Sequence, residues 1–141
     1  MRPLFLLCLF MSLAFSGMAG TQDSSRTVKA GDSVIISKCP DSKGYKYLLY
    51  YRKTLFPPST ATYDKTTGEN FYEYFFLEGE FDSKPLPCEY GGKAYRIIGL
   101  KTFMDKASGA DRHVMFLDIG LNTVVLVELD GAVEAMEIYL E

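Results

Sequence analysis

Apolar and polar positions alternate through much of the chain after residue 28, and this period of two predicts β-strands. The last third is clearest. Residues 123–129 and 133–140 flank Asp130-Gly131, a pair that favours a two-residue hairpin turn. Such a hairpin sets Val125 opposite Met136 and Thr123 opposite Ile138. One face then collects Val125, Val127, Leu129, Met136, Ile138 and Leu140 for the core. The other carries Glu128, Glu137 and Tyr139 beside Val124 and Leu126.

One strand earlier, residues 114–119 lead into Gly120-Leu121-Asn122. A three-residue loop with Asn122 in the left-handed region sets Met115 beside Val127 and Leu117 beside Val125, continuing the apolar face. Residues 94–104 read as a further strand, and 106–111 as its exposed loop. The last fifty residues are thus expected to form a four-stranded antiparallel meander.

Upstream, residues 33–37 follow the turn at Ala30-Gly31-Asp32 as an opening strand. Residues 45–52 alternate as a strand, although a helix through Leu48, Tyr51 and Leu55 has a compatible period. Pro57-Pro58 breaks the chain there. Residues 71–77 read as an intensely aromatic strand, with Phe71 and Phe75 on one face and Tyr72, Tyr74 and Phe76 on the other. Residues 79–87, with Pro85 and Pro87, read as a loop. The fold class expected is all-β: one small antiparallel barrel or sandwich of seven or eight strands.

The first residues break this pattern. Arg2 precedes an apolar run over residues 4–15, and Gly17-Met18-Ala19 supplies the small residues of a cleavage site. This is the arrangement of a secretory signal peptide, cut after Ala19 or next after Gly20, leaving residues 20–141 as one domain. The absence of any N-x-S/T acceptor favours a bacterial periplasm. Cys8 falls within the leader without a small-residue lipid-attachment motif ahead of it, so no lipid anchor is expected. In an oxidising compartment, Cys39 and Cys88 are expected to form one disulfide.

Composition is that of a globular chain, 48% hydrophobic and 23% charged, which excludes a disordered polymer. Charge is uneven. Residues 20–112 hold fourteen Lys and Arg against twelve Asp and Glu, whereas residues 113–141 hold six acids and no Lys or Arg. An acidic end opposes nucleic acid and anionic membranes and suits a cationic partner.

Candidate chemistry is sparse. His113 is the one histidine, and no serine has a G-x-S-x-G setting; His113 is expected at a strand end, paired with Asp111. Asp111, His113 and Asp118 match no metal-ligand spacing. Glu73 and Glu78 would suit a glycosidase only if they faced each other across a cleft. No catalytic group, cofactor or metal site is therefore expected. The chain reads as an exported, non-enzymatic protein-binding module, an inhibitor or immunity protein against a secreted wall-degrading enzyme or toxin. Its partner surface would comprise Tyr72, Tyr74, Phe76, Glu128, Glu137, Tyr139 and Glu141. The alternatives are a small-ligand carrier with an aromatic-lined cavity and a peptidoglycan- or sugar-handling hydrolase.

Overall fold

The computed structural model describes residues 27–57 and 62–141; the leader and its cleavage site lie outside the described residues. Among these residues seven strands form one antiparallel sheet: β1 (Ser33–Ile36), β2 (Leu48–Leu55), β3 (Glu80–Pro85), β4 (Lys93–Met104), β5 (Asp111–Asp118), β6 (Thr123–Glu128) and β7 (Ile138–Leu140). Their order in the sheet is β3-β2-β6-β5-β4-β1-β7. Among the described residues no ladder joins β3 to β7, so the sheet is open. A short helix, α1 (Leu129–Glu134), follows β6.

The expected β5–β6 register is present: Met115 pairs with Val127 and Leu117 with Val125. The loop between them carries three consecutive positive φ values, at Gly120, Leu121 and Asn122. Residues 48–55 are strand, which decides between the two readings of that segment. Two further expectations hold: β4 pairs with β5, and Cys39 is joined to Cys88.

The last hairpin is not there. Asp130-Gly131 lies inside α1, and β7 pairs with β1 on the far side of the sheet rather than with β6. Gly131 serves closeness instead of a turn, because a β-carbon there would overlap the Tyr47 ring. The helix ends where Met136 adopts φ +55°. There Glu137 N–H donates to Ala132 O at 2.8 Å and Met136 N–H to Val133 O at 3.0 Å, the paired bonds of a Schellman stop. Met136 is consequently 66% exposed and not in the core. Ile138 is buried as expected, but against β1. The four-stranded meander shrinks to three strands, β4-β5-β6.

Both sheet faces are covered, which explains why β5 and β6 are apolar at successive positions. On the first face Val34, Leu48, Ile97, Met115, Leu117 and Val127 pack with Ala132 of α1. On the second, Ile98, Val114, Phe116, Val124 and Leu126 pack under Phe71 and Phe75. Full burial of each Val or Leu side chain contributes about 1.5–3 kcal/mol.

Residues 71–77 are helical, not a strand: Glu73–Leu77 forms a wide π-type turn. Its position is set from both ends. Asp64 accepts the amides of Thr66 and Thr67, and Gly68 (φ +73°) then presses onto the backbone of Ile98, where a β-carbon would overlap the carbonyl oxygen. That contact falls at the β4 bulge between Ile97 and Gly99. At the other end Lys53 of β2 is 4% exposed. Its ammonium donates to the carbonyls of Tyr74, Phe75 and Glu78, satisfying oxygens that a helix end leaves without partners. Residues 79–87 likewise are not all loop, since β3 occupies most of them as an edge strand.

Candidate functional site

The aromatic helix and the β2–β3 end of the sheet enclose an open groove of about 330 Å³ on the second face. Tyr51, Tyr72, Phe76, Phe81 and Phe103 line it, and Arg112 stands at its rim. Tyr51 meets Phe76 edge-on at 5.2 Å and Phe81 at 5.3 Å. Tyr72 stacks on Phe76 at 5.4 Å and touches Phe103 at the same distance. Each such pair contributes about 0.5–1.5 kcal/mol beyond area burial, so the rings hold one another in place. The walls are therefore rigid and partly exposed.

Charge at the margin is ordered. Arg112 Nε donates to Glu128 Oε2 at 2.7 Å, and its Nη2 to Oε1. This two-pronged pair divides the groove from a second opening near His113 and Asp130. Lys101 lies over the Tyr72 ring and 3.5 Å from Glu73. From residue 69 to 82 the sequence carries Glu69, Glu73, Glu78, Glu80 and Asp82 with no Lys or Arg, and all five are exposed.

No family model matches this chain, and no curated protein or solved structure is similar to it. The site must stand on its geometry. Of the surface expected from the sequence, Tyr72 and Phe76 do line one groove. Tyr74 turns to a different cleft, of about 380 Å³, with Tyr63, Asp118 and Asn122. Glu128 is engaged by Arg112. Glu137 is 3% exposed, its carboxylate accepting the amides of Lys46 at 2.6 Å and Tyr47 at 2.9 Å. Tyr139 and Glu141 are exposed at the β7 edge, five strands from β2 in the sheet order and remote in sequence pairing from Glu128. The acidic C-terminal face thus resolves into separate pieces, with Glu137 facing inward.

His113 does not pair with Asp111; its Nδ1 lies 3.1 Å from Thr102 Oγ1. Among the described residues no three metal-ligating side chains converge, and no helix is long and apolar enough to cross a membrane. Sequence reasoning overlooked Tyr51, Phe81, Phe103 and Arg112 as groove residues. The signal for Phe81 is its place between Glu80 and Asp82, an alternation hidden by the prolines that follow.

Burial also sets an alkaline limit. Tyr45, Tyr51, Tyr63, Tyr90 and Tyr95 all hold their protons more tightly than usual, chiefly because burial disfavours the phenolate. Their folded pKa values exceed the unfolded ones, so their contribution is complete below about pH 10 and is lost as pH rises through the folded values. Lys53 has the opposite sign: burial lowers its pKa, and it favours the folded state increasingly up to about pH 10.4. In a spectrophotometric titration, Tyr45, Tyr51, Tyr63, Tyr90 and Tyr95 should ionise late and together with unfolding. Ionisation of these five at the ordinary value with the fold intact would contradict this.

Proposed function

We propose that this chain is an exported, non-enzymatic protein-binding module that docks a cationic protein through the aromatic groove. The observation carrying this reading is the groove itself: rigid, partly exposed rings, with Tyr72 and Phe76 on a helix whose segment of the chain, residues 69–82, carries five exposed acids and no Lys or Arg. Aromatic side chains already fixed in place lose little entropy on binding and supply the buried anchors of interfaces. The negative charge of that segment would steer a basic surface toward this end of the sheet. Wall-degrading enzymes act on an anionic polymer and are commonly basic, so an inhibitor or immunity role against such an enzyme or toxin fits the charge. The disulfide is compatible with the oxidising compartment that this role requires.

Clearance of wall polymer by purified basic hydrolases tests the reading. Addition of the protein is expected to stop clearance stoichiometrically. Tyr72→Ala should weaken that inhibition about tenfold or more, as loss of an interface anchor does. Glu78→Lys with Glu80→Lys should slow association and flatten its dependence on salt. Failure to restrain any such enzyme, or undiminished potency of both variants, would end the proposal. The carrier alternative has its own locus in the cleft between Tyr63 and Tyr74; binding of a small apolar ligand there, lost in Tyr63→Ala, would favour it instead.

A further inference from the structure

Among the described residues strand β3 is the sheet's outermost strand on one side, and every residue of it is exposed. Its backbone parity can be read from the ladder. Leu86 N–H donates to Leu48 O at 3.1 Å, and antiparallel strands alternate the direction of their backbone groups. Lys84 and Asp82 therefore turn theirs toward β2, while Phe81 and Ser83 turn theirs outward. On the other side of β2, Lys53 N–H donates to Asn122 O, consistent with the same alternation. Pro85 falls at an outward position, where its missing N–H costs the monomer nothing.

Self-pairing of this edge has one favourable register. With two copies related by a two-fold axis at Ser83, the Ser83 residues exchange two hydrogen bonds. Phe81 N–H of each copy then reaches the Pro85 carbonyl of the other, giving four bonds without a proline donor. Asp82 faces the second copy's Lys84, and Lys84 faces the second copy's Asp82. The two opposite-charge pairs lie on the first face, where Lys84 already rests over Tyr50. Shifting the axis to Asp82 or to Lys84 sets like charges directly opposite at the centre, which is unfavourable. Isolated charges on an edge strand ordinarily prevent pairing; here their order, acid then base at alternate positions, is complementary to itself.

We infer that β3 is a homodimer interface, pairing antiparallel with β3 of a second copy about Ser83. Two seven-stranded sheets then become one continuous sheet. Phe81 of each copy packs on the second copy's Pro85, and the two aromatic grooves lie side by side on the same face. The pairing is isologous, so it closes at two copies. It does not depend on the binding function proposed above.

Sedimentation equilibrium of the protein, purified after expression of the full chain, decides the matter. The wild type is expected to be dimeric. Asp82→Lys alone sets Lys against Lys twice, and Lys84→Asp alone sets Asp against Asp twice; each should weaken the dimer about thirty-fold. The double exchange Asp82→Lys with Lys84→Asp should restore dimerisation. Ser83→Pro removes an outward N–H only, so it should give a monomer with an unchanged far-ultraviolet dichroism spectrum. A wild type that stays monomeric at millimolar concentration overturns the inference. So does a dimer that ignores the single charge reversals, or one that the double exchange fails to restore.

Discussion

Replacing Cys39 and Cys88 together by serine is expected to lower the unfolding free energy by about 4 kcal/mol, the chain-entropy value for a closed loop of this length. The bridge spans 49 positions in sequence. In space it joins the loop after β1 to the loop after β3, with four strands lying between those two in the sheet. The covalent link limits how far the unfolded chain can separate these regions. The fold around it is tightly bonded: Tyr45 donates to Ser37 O at 2.6 Å, and Gly92 N–H donates to Ile36 O at 2.7 Å. Urea unfolding of the double variant, compared with the reduced wild type, provides the measurement. Both should lose a similar amount, and a midpoint unmoved by either treatment would show that the bridge adds no stability.

Glu137→Ala is expected to cost about 2 kcal/mol, because a fully buried amide deprived of its acceptor loses about 1–3 kcal/mol and the two that Glu137 holds are part-buried. Two amides are at stake, those of Lys46 and Tyr47. The residue joins three parts of the chain. Its own N–H completes the stop of α1, its carbonyl accepts Ser37 N–H at 2.9 Å, and its carboxylate holds the entry to β2. Glu137→Gln keeps the volume but offers one acceptor oxygen, and should recover about half of the loss. Amide exchange at Lys46 and Tyr47, followed with the urea midpoint, separates a local from a global effect. An alanine variant as stable as the parent, with both amides still protected, would disprove this role.

Much of the sheet is legible in the order of residues alone. The alternation in residues 94–104 and the apolar run of 114–127 stand out because these strands pack on contiguous cores, and Asn122 marks the turn that aligns β5 with β6. The aromatic helix is not legible. Residues 71–77 are apolar at nearly every position, so neither a period of two nor one near four stands out. The π-type turn further blurs the spacing. Helix is selected by contacts distant in sequence: Lys53 capping its last carbonyls and Gly68 entering at the Ile98 bulge. The candidate groove is half legible for the same reason. Tyr72 and Phe76 are identifiable from their chemistry, but Phe81 and Phe103 join them only once helix, β3 and β4 meet.

Local chemistry is enough to specify the antiparallel strands and the register of β5 on β6, and the cysteine count outside the leader is enough to pair Cys39 with Cys88. The strands and their register depend on neighbours a few residues apart or on side-chain alternation that any half-buried sheet imposes. The path of residues 129–140 has a different origin. Residues 129–140 suit a hairpin or a helix followed by a strand almost equally, since Leu129, Ala132, Val133 and Met136 also fall at helical spacing. Tyr47 leaves room for Gly131 alone, Ala132 fills a gap in the first-face core, and the free side of β1 accepts Ile138. Long-range packing resolves a local near-degeneracy, and in doing so turns Glu137 from a surface charge into an internal tie.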